Sequence, residues 1–218
     1  MRTVGKILRN LLIIFLVVIL IVAGISYFLV FQGTKNYPIK YGDVITQQAE
    51  KFGLEPTLVA ALVDTESAFD PNAESHLGTR GLMQLLPKTA KWVASQLSID
   101  YDDEKLWDPA YNVELGTYYL SYLVGHFQNV EFAIAAYNAG LNAVDDWIAD
   151  GLISRDTDSL SEIPFEETRD YVKNILHKKS IYDVFYKEGL PNDTTQTDTF
   201  ALAFTNWRKA LGIVTGKR

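Results

Sequence analysis

An uninterrupted apolar stretch, residues 11–31, constrains the fold of this chain more than any other feature. It carries no charged side chain. A helix of about 20 residues, rising about 1.5 Å per residue, crosses the ~30 Å hydrocarbon core of a bilayer. Arg2, Lys6 and Arg9 precede the stretch with no acid among them, which predicts that the N-terminus stays in the cytoplasm and the remaining chain is exported.

A cleaved signal peptide is the competing interpretation of this segment. Gly24, Ile25 and Ser26 form a poor small-x-small cleavage site, and the apolar stretch continues past it to Phe31. The continuation favours an uncleaved single-pass anchor in the cell membrane. Under either interpretation, the rest of the chain works on the extracytoplasmic side.

The composition excludes several classes of function. The chain has no cysteine, so it has neither disulfides nor a thiolate nucleophile, and a bacterial surface suits such an exported domain. Its net charge of −7 argues against nucleic acid as a partner. His76, His126 and His177 lack metal-ligand spacing, and residues 100–104 lack the glycine of a calcium loop. We therefore expect no metal and no cofactor, and a solvated loop at 100–104.

The rest of the chain has a helical pattern with no sustained period of two, which predicts an all-α domain. The predicted divisions are a tail and anchor (1–31), a linker (32–42), the helical domain (43–187) and a C-terminal extension (188–218). The sequence leaves open whether residues 200–211 pack back as a helix. Predicted helices in the domain cover residues 43–52, 56–67, 87–97, 112–127, 130–138, 143–149 and 166–185.

Glu66 is the first candidate catalytic residue. It continues an apolar helical stripe of Val59, Leu62 and Val63 at spacing i, i+3, i+4, i+7. A carboxylate on the buried face of a helix is poorly solvated, which raises its pKa and suits it to donate a proton near neutral pH. Periodicity alone does not distinguish this role from a glutamate that reaches solvent.

Three further polar clusters accompany Glu66. They are Gly-Leu-Met-Gln at 81–84, Ala-Tyr-Asn-Ala-Gly at 136–140, and Tyr171 within Glu-Glu-Thr-Arg-Asp-Tyr-Val at 166–172. Taken singly, they are typical of a turn, a helix cap and a core tyrosine.

Taken together and in this order, Glu-Ser at 66–67 and the three clusters resemble the soluble-type (SLT) family of lytic transglycosylases, which has the fold of goose-type lysozyme. The resemblance covers about residues 41–186 and includes neither the anchor nor the tail. Further matches are Phe69, Asp70, Pro71, Asn72, Ala73, Ser75, Gly78, Arg80, Pro87, Asp108, Pro109, Asn112, Gly116, Tyr119 and Leu120.

The resemblance implies a lysozyme-like enzyme that cleaves the β-1,4 bond between N-acetylmuramic acid and N-acetylglucosamine in peptidoglycan. Glu66 would protonate the leaving oxygen and then act as base on the sugar C6 hydroxyl, which closes a 1,6-anhydro ring. It further implies that Ser67 and Tyr171 orient Glu66 or the sugar. The residues that would line the glycan groove are Ser75, Met83, Gln84, Tyr137 and Asn138.

Other functions remain open at this point. A hydrolytic muramidase of the same fold needs a positioned water, and Glu74 is the visible candidate to hold it. No second acid falls within the matched polar motifs as an obvious nucleophile. Asp64 lies on another helical face, and Asp70 precedes a proline. A non-catalytic, membrane-held glycan-binding scaffold for cell-wall or secretion machinery is a further alternative. Helix association through the anchor has little support, because residues 11–31 contain no GxxxG.

Overall fold

The computed structural model describes residues 2–154, 160–186, 189–191 and 199–210. The chain falls into two units. One contains residues 1–38 and 194–218, and the other contains residues 39–193.

The first unit contains the predicted anchor as a long helix, α1 (Arg2–Asn36). Its span Gly5–Asn36 is, within the described ranges, the one helix long and apolar enough to cross a membrane. The helix continues past residue 31 to Asn36, so the first residues of the predicted linker are helical. Residues 32–36 hold only one weak helix breaker, Gly33, and the first strong one is Pro38.

A C-terminal helix, α9 (Thr199–Ala210), lies in the same unit and packs on α1. Trp207 Nε1 donates to Ser26 Oγ at 2.7 Å, and the Tyr27 ring lies 6.0 Å from the Trp207 ring. The tail segment whose structure the sequence left open is therefore helical and packed over its described residues, 200–210. The polar part of the predicted extension, residues 192–198, lies outside the described residues.

The second unit is all-α in its described part, which confirms the predicted fold class. No strand occurs there, and two isolated bridges, Glu74 with Arg80 and Arg80 with Leu85, lie in the loop between α3 and α4. The helices are α2 (Gly42–Lys51), α3 (Pro56–Ser67), α4 (Pro87–Leu97), α5 (Pro109–Phe127), α6 (Val130–Ala139), α7 (Leu141–Ala149) and α8 (Glu166–Phe185).

The sequence predicts the bounds of three helices of this unit correctly and places the start of α5 and of α7 too late. α3, α4 and α8 match their predicted ranges, and α3 and α4 carry proline in the first turn. α5 begins at Pro109 rather than at residue 112, because the Asp108 carboxylate caps it by accepting from the Tyr111 amide at 2.9 Å. α7 likewise begins two residues early, directly after Gly140.

Helix α3 is the centre of the core, and residues 57–63 of it are buried. It packs against α8 along its length. Polar contacts set the register of the pair, because Asp64 Oδ2 accepts from Tyr182 Oη at 2.8 Å and Thr57 Oγ1 donates to Asp183 Oδ1 at 2.5 Å. This register decides which α8 side chain faces the end of α3.

Candidate active site

Helix α3 ends at the candidate acid with an abrupt reversal of the chain. Ala68 and Phe69 follow Glu66 and Ser67 with φ of 50° and 61°, the left-handed region that non-glycine residues rarely occupy. Phe69 is only 3% exposed, so its burial compensates for this backbone strain. The reversal leaves Glu66 on the last turn of a buried helix, where its carboxylate meets other elements rather than continuing helix.

The Glu66 carboxylate is half-buried and accepts a hydrogen bond from Tyr171 Oη of α8. Burial raises the pKa of Glu66 from 4.5 to about 7, and the hydrogen bond from Tyr171 opposes this rise because it stabilises the carboxylate. At neutral pH the side chain therefore exists in both protonation states. This is the condition that a group must meet to give up a proton and later take one back.

Two tyrosines next to Glu66 stay protonated and act as hydrogen-bond donors. Burial and the negative charge of Glu66 raise the pKa of both Tyr171 and Tyr137 well above its usual value. Tyr137 donates to the Met83 carbonyl at 2.9 Å, so α6 is joined here to the turn at 81–84.

Ser67 and Asn138 join elements around the carboxylate. Ser67 Oγ donates a hydrogen bond to the Leu82 carbonyl at 2.8 Å, and this contact attaches the end of α3 to the 81–84 turn. Asn138 Oδ1 accepts from Thr168 Oγ1 at 3.0 Å, which joins α6 to α8. Asn138 is an exposed residue near the end of α6.

Ser75 and Gln84 belong to one hydrogen-bonded loop. The Thr79 hydroxyl lies 2.7 Å from Gln84 Oε1 and 2.7 Å from Ser75 Oγ. Gln84 Nε2 donates to the carbonyls of Ala73 and Gly81 at 2.8 and 2.9 Å. The Gln84 amide therefore holds the loop closed. Its amide oxygen and nitrogen both bond within the loop, so Gln84 fixes the positions of the loop residues beside the site.

Met83 does not line a groove with its side chain, and this part of the sequence prediction is wrong. The residue is 0% exposed, and its side chain packs directly on the Cα of Gly116 in α5. The apolar thioether is buried in the core, while the backbone of Met83 faces the polar contacts. Met83 thus supports the site from behind.

Asn112 is a positioning residue that the sequence prediction did not include among the site residues. It is 0% exposed on α5, and its Oδ1 accepts from the Met83 amide at 2.7 Å. Its Nδ2 donates to the carbonyls of Arg80 and Leu106, both at 2.9 Å. A Cβ at Gly81, where φ is +75°, would collide with this amide. An asparagine at an otherwise apolar helix position was the signal available in the sequence.

Four other carboxylates near these motifs already have polar partners. Asp64 forms an ion pair with Lys178 at 2.9 Å, and Glu74 forms one with Arg80 at 3.3 Å. Asp70 accepts from the Asn72 amide at 2.9 Å, which caps the turn after α3. Asp103, in the segment predicted as a solvated loop, accepts hydrogen bonds from Arg80 and Tyr101. Glu66 is thus the carboxylate of these motifs whose pKa is raised towards neutrality.

No metal-binding role is assigned to any residue. Within the part of the chain that the structure describes, no group of three or more His, Asp or Glu side chains could hold a metal ion.

Most of the second unit matches two known domain families. Residues 43–153 match the family described as Transglycosylase SLT domain, and residues 162–190 match the Soluble lytic transglycosylase helical domain. Among curated proteins, the soluble lytic murein transglycosylase of Salmonella typhimurium is 36% identical over 170 residues, which are 73% of this chain and 26% of that protein. The membrane-bound lytic murein transglycosylase C of Yersinia enterocolitica is 38% identical over 120 residues, which are 48% of this chain and 32% of that protein.

A solved structure shares the fold. It is an inactive glutamate-to-glutamine mutant of the lytic transglycosylase Slt from Pseudomonas aeruginosa, 34% identical, with a TM-score of 0.62. The similarity covers 69% of this chain and 25% of that one. The chain spans about a quarter of the length of the soluble relatives that it matches.

Proposed function

The chain belongs to the transglycosylase SLT family, and from this membership we propose that it is a peptidoglycan lytic transglycosylase with Glu66 as its acid and base. The observation that carries the proposal is the geometry of Glu66. It combines a pKa of about 7, a hydrogen bond from Tyr171, and ion pairs that engage Asp64 and Glu74 elsewhere.

The proposed reaction needs one carboxyl group. Protonated Glu66 gives its proton to the glycosidic oxygen, and the bond from the muramic acid C1 to that oxygen breaks. Glu66, now a carboxylate, takes the proton of the C6 hydroxyl as O6 bonds to C1, which forms the 1,6-anhydro ring. The enzyme ends in its starting protonation state, and no water enters the products.

Tyr171 is suited to the carboxylate stage of this cycle. Its hydroxyl donates to Glu66 Oε1, and a donated hydrogen bond stabilises the charged form. Glycosidases that use a carboxylate nucleophile need a second acid about 5–5.5 Å from the first. The ion pairs of Asp64 and Glu74 support a mechanism without such a partner.

A hydrolytic muramidase remains the second candidate, because the same acid serves both reactions. The contact between Glu74 and Arg80 weighs against it, since the carboxylate proposed to hold a water is already engaged by a cation. Glu74 is also exposed rather than enclosed with Glu66.

The test is digestion of purified peptidoglycan by the full chain in detergent, beside Glu66→Gln. We expect the wild type to release muropeptides one water lighter than their hydrolytic counterparts, as mass spectrometry would show, and the variant to release none. Reducing-end products would instead establish the muramidase. Equal release by both proteins would mean that Glu66 is not the acid, and no release by either would favour the non-catalytic scaffold.

Membrane association is supported by α1 and by the membrane-bound relative. We propose that α1 spans the cell membrane once, with the second unit on the extracytoplasmic side, where peptidoglycan lies. Arg2, Lys6 and Arg9 ahead of the apolar stretch support this orientation.

A further inference from the structure

A series of aromatic rings leads from the candidate site onto the outer surface of α4 and α5. Tyr137, which stands beside Glu66 and Met83, has its ring 5.4 Å from that of Tyr119. The Tyr119 ring lies 6.2 Å from Trp92, and Trp92 lies 4.9 Å from Tyr122. We call Tyr137, Tyr119, Trp92 and Tyr122 the aromatic track.

The outer end of the track is exposed. Trp92 is 36% exposed and Tyr122 is 39% exposed, whereas Tyr119 and Tyr137 are half-buried. Tryptophan is highly buried on average, and adjoining exposed aromatic surface on a soluble domain marks an interaction site more often than isolated apolar residues do. The exposed end is therefore suited to contact a ligand rather than the core.

The rings of the track are held in place. Trp92 meets Tyr119 and Tyr122 at interplanar angles of 79° and 66°, the edge-to-face arrangement that aromatic pairs prefer. Beyond Tyr122, the His126 ring follows at 6.4 Å and is fixed by Asp145 at 2.9 Å. Since Tyr119, Tyr122 and His126 lie at i, i+3 and i+7 of α5, they share one face of that helix.

Helix α4 contributes positive charge beside the track. α4 carries Lys88 and Lys91 and no acid, in a chain whose net charge is −7. Lys88 lies four residues before Trp92 and so on the same face of the helix. Peptidoglycan carries carboxylates on its muramic acid substituents, so a cation beside an aromatic ring matches an acidic sugar polymer.

We propose that Trp92 and Tyr122 form a distal saccharide-binding platform for the N-acetylated glycan strand whose cleavage site lies at Glu66. One face of a β-1,4-linked hexosamine ring is made of C–H groups, and such a face packs on the negative face of an aromatic ring. The track makes this platform continuous with Tyr137 at the site, so a single strand serves both. The inference rests on the proposed function for the identity of the strand.

The test measures how the full chain in detergent binds a β-1,4-linked N-acetylglucosamine octamer. Every protein carries Glu66→Gln so that the octamer is not cleaved, and the chain with this substitution alone is the parent. Trp92→Leu keeps apolar bulk and removes the aromatic face, while Trp92→Phe keeps a face. We expect Trp92→Leu to weaken octamer binding by about fivefold to tenfold, the effect of losing one aromatic contact, and Trp92→Phe to bind within about twofold of the parent. Tyr122→Leu and Tyr122→Phe should repeat this difference.

Tryptophan fluorescence gives a second measurement. The octamer should change the emission of the parent protein, and the change should be lost in Trp92→Phe but kept in Trp107→Phe. Trp107 is the control because its indole lies under Arg80, at 5.6 Å, and is not part of the track. Thermal unfolding verifies that each variant is folded. Parental affinity in Trp92→Leu, an equal loss in Trp92→Phe, or an unchanged emission response in Trp92→Phe would overturn the platform.

Cleavage of peptidoglycan by the chain with Glu66 restored separates the two proposals. If the chain does not cleave but the binding differences hold, the proposed function fails and the platform stands. If the chain cleaves and the binding differences are absent, the platform alone fails.

Discussion

Two opposing effects at the end of α3 keep Glu66 partly protonated at neutral pH. Burial favours the neutral acid, and the Tyr171 hydroxyl favours the carboxylate. Burial has the larger effect, so the pKa of Glu66 rises to about 7. The contribution of Tyr171 can therefore be measured as a shift of the pH dependence.

Tyr171→Phe should move the loss of activity at high pH to a still higher pH. General-acid catalysis needs protonated Glu66, so the rate falls as pH rises through its pKa. Without the donated hydrogen bond the pKa of Glu66 rises further, by a shift on the order of one unit. The measurement is the pH profile of kcat/KM on soluble glycan strands.

Tyr182→Phe is the matched control for this profile. It removes a hydroxyl from the same helix, but one that donates to Asp64 rather than to Glu66. We expect an unchanged pH profile with lower stability. A profile that shifts equally in both variants would show that Tyr171 acts only through the packing of α8.

Glu66→Gln should stabilise the protein at high pH and not at low pH. The folded-state pKa of Glu66 is raised from 4.5 to about 7, so the stability linked to its proton is present below pH 4.5 and is lost as pH rises through about 7. Glutamine never ionises and avoids this loss. At about pH 8 the variant should exceed the wild type in free energy of unfolding by roughly 1–3 kcal/mol.

Thermal unfolding across this pH range measures the difference. A gap between variant and wild type that does not change from pH 4.5 upward would contradict the raised pKa. A gap that grows with pH would show that burial of the acid costs stability for the sake of function.

At the scale of elements, the turn at 81–84 depends on how closely α5 approaches it. Met83 packs on the bare Cα of Gly116, and a Cβ there would lie 2.5 Å from its Sδ and 2.7 Å from its Cβ. The backbone of Met83 cannot easily move away, since Asn112 holds its amide and Tyr137 its carbonyl. α5 thus positions the turn that Ser67 joins to the end of α3.

Gly116→Ala should destabilise the protein by roughly 1–3 kcal/mol and lower its activity, because overpacking displaces this turn. Gly125→Ala is the control on the same helix, since no atom lies within 4 Å of the Cβ added there. Alanine in an open helical position should stabilise by about 0.5–1 kcal/mol. Denaturant unfolding gives both values, and destabilisation by both substitutions would contradict the packing argument.

At the scale of the whole molecule, the absence of cysteine makes the proposed topology directly measurable. Glu166→Cys places an exposed thiol at the start of α8, and Lys6→Cys places one ahead of the apolar stretch. In intact spheroplasts, a membrane-impermeant maleimide should label Glu166→Cys and should label Lys6→Cys only after permeabilisation. The reverse pattern would place the candidate site in the cytoplasm, away from peptidoglycan.

Much of the fold and the buried setting of the candidate acid could be predicted from the sequence. The apolar stretch predicted α1, the periodicity predicted an all-α domain, and proline at the first turn marked where α3 and α4 begin. These signals are local, because chain length, helix period and proline geometry act within a few residues. The position of Glu66 on an apolar stripe likewise predicted the direction of its pKa shift.

The roles of the surrounding residues were decided only by tertiary structure. The motif suggested that Met83 lines the groove, but the space above Gly116 places its side chain in the core. Asn112 lies 29 residues from Met83 and 32 from Arg80, and its side chain joins the backbone of both to that of Leu106. Whether Glu74 could position a water for hydrolysis likewise depended on its contact with Arg80. Periodicity can predict which face of a helix is buried, but the partner that meets that face is set by packing between segments distant in the chain.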